Sequence, residues 1–233
     1  MRDPLENLTA DILGPRPVGR PAKSNPLTNA ERVRLHRQRR AKFPPIKRVL
    51  ISCERSGIVR EAFRALGIDA FSNDLEPADD GSDYHIQADT RQIIRIGWDL
   101  IITHPPCTAL SVSGNPTYAE GKPKHHQRLQ SIAWTTDLWN LAKKHAPRVA
   151  MENPVGVLPF TATQFIQPWQ FGHGETKATG LWLHNLPPLN PTDVVEGREA
   201  RIHRMSPGPD RQRLRSETYS GIAQAMADQW HRL

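Results

Sequence analysis

Arg48-Val-Leu-Ile-Ser-Cys-Glu-Arg-Ser-Gly-Ile-Val-Arg-Glu-Ala-Phe-Arg-Ala-Leu66 decides the fold class. A β-branched and aliphatic run over 48–53 reads as a strand, Ser56-Gly57 as the turn, and 58–66 as a helix with Ile58, Ala62, Phe63 and Leu66 on one side. The same alternation continues outward. Short strands are predicted at 69–73, 99–103, 148–152 and 178–184, and helices at 127–146 and 219–232, the last with Ile222, Ala225, Met226 and Trp230 on its apolar face. Strands alternating with helices predict an α/β domain with a mostly parallel sheet.

Upstream of Lys47 the character changes. Residues 1–48 hold 12 Lys and Arg against 4 Asp and Glu, whereas the remaining 185 residues hold 19 against 20. Residues 1–27, with Gly14-Pro15-Arg16-Pro17 and Gly19-Arg20-Pro21, lack apolar periodicity and are expected to be disordered. Thr28 and Glu31 have capping-box spacing, and 29–42 reads as a basic helix ended by Phe43-Pro44-Pro45. The division expected is a basic arm over 1–46 and a catalytic domain over 47–233. An arm of this charge on a near-neutral body points to a polyanionic partner. Cys53 and Cys107 are the two cysteines; neither has metal-ligand spacing around it, so neither a disulfide framework nor a metal is expected. No apolar run is long enough for a membrane span and the N-terminus lacks a signal-like core. A cytoplasmic protein, monomeric or weakly oligomeric, is the expectation.

In open α/β sheets, ligands gather at the carboxyl ends of the strands. The 99–103 strand runs into His104-Pro105-Pro106-Cys107-Thr108-Ala109-Leu110-Ser111, where two prolines stiffen the turn that presents a thiol. The 148–152 strand ends in Glu152-Asn153-Pro154, placing a carboxyl at another strand end. Each alone has a bland alternative, a buried small side chain for Cys107 and a turn for Glu152.

Pro-Pro-Cys, then x-x-x-Ser, then Glu-Asn about 45 residues later is the order seen in cytosine carbon-5 DNA methyltransferases. From about Lys47 onward the sequence resembles that family, especially its short bacteriophage members. The resemblance implies a Rossmann-like S-adenosylmethionine-dependent methyltransferase fold, DNA as partner, and protection of viral DNA from host nucleases. It makes Cys107 the nucleophile that adds at carbon 6 of cytosine and Glu152 the group serving the N3 edge. Lys177 stands where the family has the first arginine of its Gln-x-Arg-x-Arg strand, with Glu175 in place of the glutamine; a lysine cannot reproduce the two-pronged arginine contact.

The donor site implied lies at the first two strands. Ser52, Glu54 and Gly57 occupy the first motif, which lacks the usual aromatic and extra glycines. Gly57 would permit close backbone approach, and the adjoining helix would offer free N–H groups. Asp74, with Leu75, ends the second strand where ribose hydroxyls bind; Asp89 matches the acidic residue facing adenine, with a helix cap as its alternative. Pro105 and Ser220 complete the set, Ser220 lying in the closing motif Thr218-Tyr219-Ser220-Gly221. Cys53 reads as packing or donor-site lining.

The family's long target-recognition insert is replaced by about 30 residues, 185–215. DNA contacts are therefore expected from Ser111, Arg211, Arg213 and Arg215, and from Arg20, Arg37 and Arg40 of the arm; Gly19-Arg20-Pro21 resembles the core of a minor-groove AT-hook. Alternatives are a catalytically silent DNA-binding protein of the same fold, or methylation of another base or a free nucleotide. Amino-methyltransferases carry an aromatic residue where Cys107 stands, RNA cytosine methyltransferases place a cysteine where Glu152 stands, and a free-nucleotide enzyme has no use for a basic arm.

Overall fold

The computed structural model describes residues 28–32, 43–206, 208 and 211–233. They fall into two units, Met1–Lys42 and Phe43–Leu233. In the first, residues 29–32 are helical and the capping box is formed. The Glu31 carboxylate accepts from the Thr28 amide at 2.8 Å, and Thr28 Oγ1 accepts from the Glu31 amide at 3.2 Å. Arg37 and Arg40 of the expected basic helix, and the segment around Arg20, lie outside the described residues.

Among the described residues of the second unit, strands β1 (Arg48–Ser52), β2 (Asp69–Asp74), β3 (His85–Gln87), β4 (Leu100–Thr103), β5 (Arg148–Pro154), β6 (Gln164–Ile166) and β7 (Thr179–His184) form one sheet. Their spatial order is β3-β2-β1-β4-β5-β7-β6. The first five are mutually parallel, and β7 runs antiparallel to both β5 and β6. This is the mostly parallel α/β sheet expected. The helices are α1 (Ile58–Arg64), α2 (Thr90–Ile93), α3 (Asn115–Tyr118), α4 (His125–His145), α5 (Arg201–Arg204), α6 (Arg211–Ser216) and α7 (Ser220–Trp230).

Successive strand residues point to opposite faces. Val49 and Ile51 pack with Phe63 of α1 and with Ile222, Met226 and Trp230 of α7, while Leu50 between them packs with Leu138 and Ala142 of α4. Helices thus cover both faces. That is why the strands are continuous apolar runs rather than alternating ones.

Several expectations shift. The body begins at Phe43 rather than Lys47: Ile46 is in the core, and the buried guanidinium of Arg148 donates to the Pro44 carbonyl at 2.8 Å and the Leu233 carbonyl at 2.9 Å. The first helix stops at Arg64, leaving Leu66 exposed while Val59 is buried. Strands β3 and β6 and helix α2 were not expected, being three or four residues long, too short for a periodic signal. No described helix is long and apolar enough to cross a membrane.

After β1 the chain builds β2 and β3 on one side, then returns with β4 on the other. In open α/β sheets such a reversal is where ligand crevices form, at the carboxyl ends of the strands, and His104 and Cys107 follow β4 there while Glu54 follows β1.

Candidate active site

Cys107 follows β4 and Glu152 lies in the neighbouring parallel strand β5, with Thr103 in register with Met151. The two side chains share one electrostatic environment. Burial pushes the Cys107 thiol up, the Glu152 charge adds to that, and the charges of Lys177 and Arg215 oppose it; the net shift is upward. For Glu152, burial also works against ionisation. A hydrogen bond from His104 and the charges of His104 and Lys177 outweigh it and hold the carboxyl below its usual range. At neutral pH the resting site therefore pairs a thiol with a carboxylate.

The loop carrying Cys107 is held at several points. Asn153 Nδ2 donates to the carbonyl of buried Pro105 at 2.9 Å. The buried Arg128 of α4 donates to the carbonyls of Ala109 at 2.7 Å and Ser111 at 3.2 Å and to Asn115 Oδ1 at 2.9 Å. Gly156, after β5, lies so close that a Cβ on it would stand 2.4 Å from the Leu110 carbonyl oxygen. The Ser111 hydroxyl is 2.8 Å from Ser113 Oγ and caps a short turn at the mouth of this loop.

Lys177 Nζ donates to the Glu217 carbonyl at 3.2 Å and faces the Tyr219 ring. Its charge is felt by both Cys107 and Glu152, so the structure brings it to the pair. Glu175 is used differently from a base-facing glutamine. Its two oxygens accept from Arg201 Nε at 2.9 Å and from the Tyr219 hydroxyl at 2.7 Å. The 185–200 segment is not a protruding recognition lobe: Phe171 bridges Asp193 and Glu175 bridges Glu199. Beyond it, Arg211 Nε donates to the Met205 carbonyl at 2.9 Å, Arg213 pairs with Glu217 at 3.0 Å, and Arg215 is close enough to affect Cys107.

On the β1–β2 side, three of the groups expected at the donor have partners within the fold. Ser52 is fully buried in a chain of hydroxyls, donating to Thr103 Oγ1 at 3.1 Å and accepting from Thr90 Oγ1 at 2.7 Å, so its side chain belongs to the core. Gly57 does adopt the left-handed region, with φ of 71°. The space beside it, however, is taken by the Arg60 guanidinium and its partner Asp80, which a Cβ would strike. The N–H groups at the start of α1 are also not free. Buried Glu54 accepts from the Val59 amide at 2.8 Å, acting as a cap from four residues before the helix. Burial raises the Glu54 carboxyl, against the charge of His104, the Val59 and Arg60 amides and the Arg60 charge.

At the end of β2, Asp74 Oδ1 accepts from the Glu76 amide at 3.1 Å, a turn contact, and Leu75 follows it. Asp74 is partly exposed, and Leu75 is 69% exposed. Asp89 takes its alternative role, capping α2 through the Arg91 amide at 2.9 Å and pairing with the Arg91 guanidinium. Cys53, in the left-handed region, is buried and its thiol is pushed up to about 12 by burial foremost. It packs against the core cluster of Leu50 and Ile101. Ser220 opens α7 beside His173, 3.4 Å from its Nε2. Among the described residues, no cluster of three or more His, Cys, Asp or Glu side chains is arranged to hold a metal ion.

No protein-family model matches the chain, and no curated protein sequence does. Among solved structures it is similar to the Entamoeba histolytica methyltransferase EhMeth. The likeness has 11% identity and a TM-score of 0.43, and covers 68% of this chain and 59% of that one. The chain thus spans about three-fifths of that protein's length.

Sequence reasoning missed His104, Arg128 and Arg60. His104 Nδ1 is 2.9 Å from Glu152 Oε2. The sequence marks it only as part of the proline turn, although a titratable residue beside a candidate nucleophile is a signal in itself. Arg128 and Arg60 carried no signal, because a lone arginine in a helix normally faces solvent.

Proposed function

We propose that this chain is an S-adenosylmethionine-dependent DNA methyltransferase acting on carbon 5 of cytosine. The observation that carries the reading is the juxtaposition of Cys107 and Glu152 at the ends of adjacent parallel strands, one a thiol and the other a carboxylate at rest.

Those protonation states suit an addition in which no separate thiolate forms first. The Cys107 S–H bond breaks and its proton passes to Glu152, while Sγ bonds to carbon 6. The C5=C6 pair moves to join C4 and C5, and the C4=N3 pair moves to N3, which takes the proton from Glu152. Low-dielectric surroundings favour this neutral addition over one that leaves charge on the ring. Lys177 and Arg215 face the sulfur and ease loss of its proton. Carbon 5 is then nucleophilic. When bound, the donor supplies a methyl group activated by a positively charged sulfonium sulfur. A base removes the carbon-5 proton, which re-forms C5=C6 as the C6–S bond breaks, and the proton on N3 returns through Glu152 to the Cys107 sulfur.

Asp74 and Leu75 fit the donor: a carboxylate suited to ribose hydroxyls stands beside an uncovered apolar side chain suited to a purine face. DNA would be held by Ser111, Arg211, Arg213 and Arg215 around the site and by the basic arm.

DNA containing 5-fluorocytosine, incubated with protein and donor, tests the reading, because fluorine blocks the elimination. The expected product is a covalent complex whose trapped peptide contains Cys107; bisulfite or nanopore sequencing of DNA from expressing cells then gives base and context. A trapped peptide containing Cys53, or methylation surviving in Cys107→Ala, would sink it. Glu152→Gln should slow the step by about 10²- to 10⁴-fold with donor binding retained.

A further inference from the structure

We propose that His104 is a positioning residue for Glu152, a buried imidazole set between two carboxyl groups, Glu152 and Glu54, that fixes the charge and orientation of Glu152. The inference rests on the proposed function for its chemical consequence, though not for the contact itself.

Strand order creates the arrangement. β4 lies between β1 and β5, with Thr103 in register with Ser52 on one side and Met151 on the other. His104, one residue on, has its amide held by the Ser52 carbonyl at 2.9 Å. Glu54 follows Ser52 and Glu152 follows Met151, so a carboxyl stands at the end of each flanking strand. Nδ1 of His104 meets Glu152 Oε2 at 2.9 Å, with the two side chains 9% and 12% exposed. Nε2 of His104 and Oε2 of Glu54 are both sealed from solvent, and neither has a hydrogen-bond partner among the described residues.

A buried polar atom left unpaired is costly and calls for a reason. Two of them, on side chains from adjacent strand ends, with Glu54 responding to the charge on His104, give one: the imidazole is placed to serve both carboxyls. The hydrogen bond and charge that His104 brings to Glu152 hold its carboxyl ionised despite burial, ready to receive the thiol proton from Cys107. The charged groups facing this unit are Glu54 with Arg60 behind it, Glu152, Lys177, and Cys107 on His104's own loop.

The test uses full-length, ligand-free protein and NMR of isotope-labelled glutamate carboxyls, with the Glu152 signal assigned by its loss in Glu152→Gln. The titration midpoint of Glu152 should rise in His104→Asn, whose amide can keep the hydrogen bond without the charge, and rise further in His104→Leu. Glu54→Gln should shift it by less than His104→Leu does. An unchanged midpoint in His104→Asn and His104→Leu overturns the proposal, and an unchanged midpoint in Glu54→Gln overturns the part played by Glu54. In single-turnover methylation the acid limb of the rate profile should move in the same order, with donor affinity unaltered. A purely structural role would lower the rate without moving that limb. If the wild-type protein does not methylate cytosine, the functional reading fails while the carboxyl titration still decides the role of His104.

Discussion

The guanidinium of Arg128 holds the Ala109 carbonyl at 2.7 Å, across 19 residues of sequence, and so ties the loop that carries Cys107 to the first turn of α4. Arg128 is 5% exposed and spends its donors on two carbonyls and one side-chain amide oxygen. Hydrogen bonds to a charged group contribute about 1.5–3 kcal/mol each. Arg128→Met should therefore lower the unfolding free energy by a few kcal/mol, measured by denaturant titration, and slow adduct formation on 5-fluorocytosine DNA. Arg128→Lys should rescue little, since an ammonium cannot span three acceptors in a plane. Full activity in Arg128→Met would show that the loop needs no such anchor.

Gly156 tests the other side of the same loop. Its missing side chain makes room for the Leu110 carbonyl, which would be 2.4 Å from a Cβ. Gly156→Ala has to push the loop away. Overpacking of this kind typically costs about 1–3 kcal/mol, and the displacement should reduce the rate of adduct formation more than it reduces donor affinity. Equal activity in glycine and alanine forms would mean that the loop position is not critical.

The shifts on Cys107 give a signed pH prediction. Its thiol is raised, so alkylation by iodoacetamide should climb with pH to a midpoint above the ordinary thiol value of about 8.5. Glu152 contributes to the rise and Lys177 opposes it. Glu152→Gln should thus move the midpoint down and Lys177→Met should move it up. Cys53, pushed up to about 12, should stay unlabelled between pH 7 and 9 in the native protein. Peptide mapping of the alkylated protein reads all of these, and a reversed order of midpoints would remove the electrostatic coupling argued for the site.

Removing residues 1–42 should leave a folded body, because Phe43, Pro44 and Ile46, which pack on or bond to Arg148 and the core, are retained. Removing residues 1–46 should lower the melting temperature, since it strips a core isoleucine and one acceptor of a buried guanidinium. If the arm meets phosphates, each contact contributes about −0.9 to the slope of log affinity against log salt. The shorter truncation should then flatten that slope by several units while donor affinity stays constant. An unchanged slope would leave DNA binding to Arg211, Arg213 and Arg215.

The sequence alone determined the α/β class and the parallel core. Each of β1, β4 and β5 is buried on both faces, and an uninterrupted apolar run such as Val49-Leu50-Ile51 records that directly. It also singled out Cys107 and Glu152, whose residue types and strand-end positions are local properties, and the capping box at Thr28, which needs only a spacing of three. Other features depended on tertiary structure because they are relations between segments far apart in the chain. Ser52 is polar and adjoins a turn, yet it is buried, because Thr90 and Thr103 arrive from elsewhere to satisfy its hydroxyl. Gly57 keeps its glycine for Arg60 and Asp80, a pair 20 residues apart. Glu175 is engaged by Arg201 and Tyr219, which reach it from 26 and 44 residues away. His104 becomes the partner of Glu152 only when β4 is laid beside β5: the imidazole and the carboxyl are 48 residues apart in sequence and 2.9 Å apart in space, and strand pairing alone brings them together where both are largely withdrawn from water.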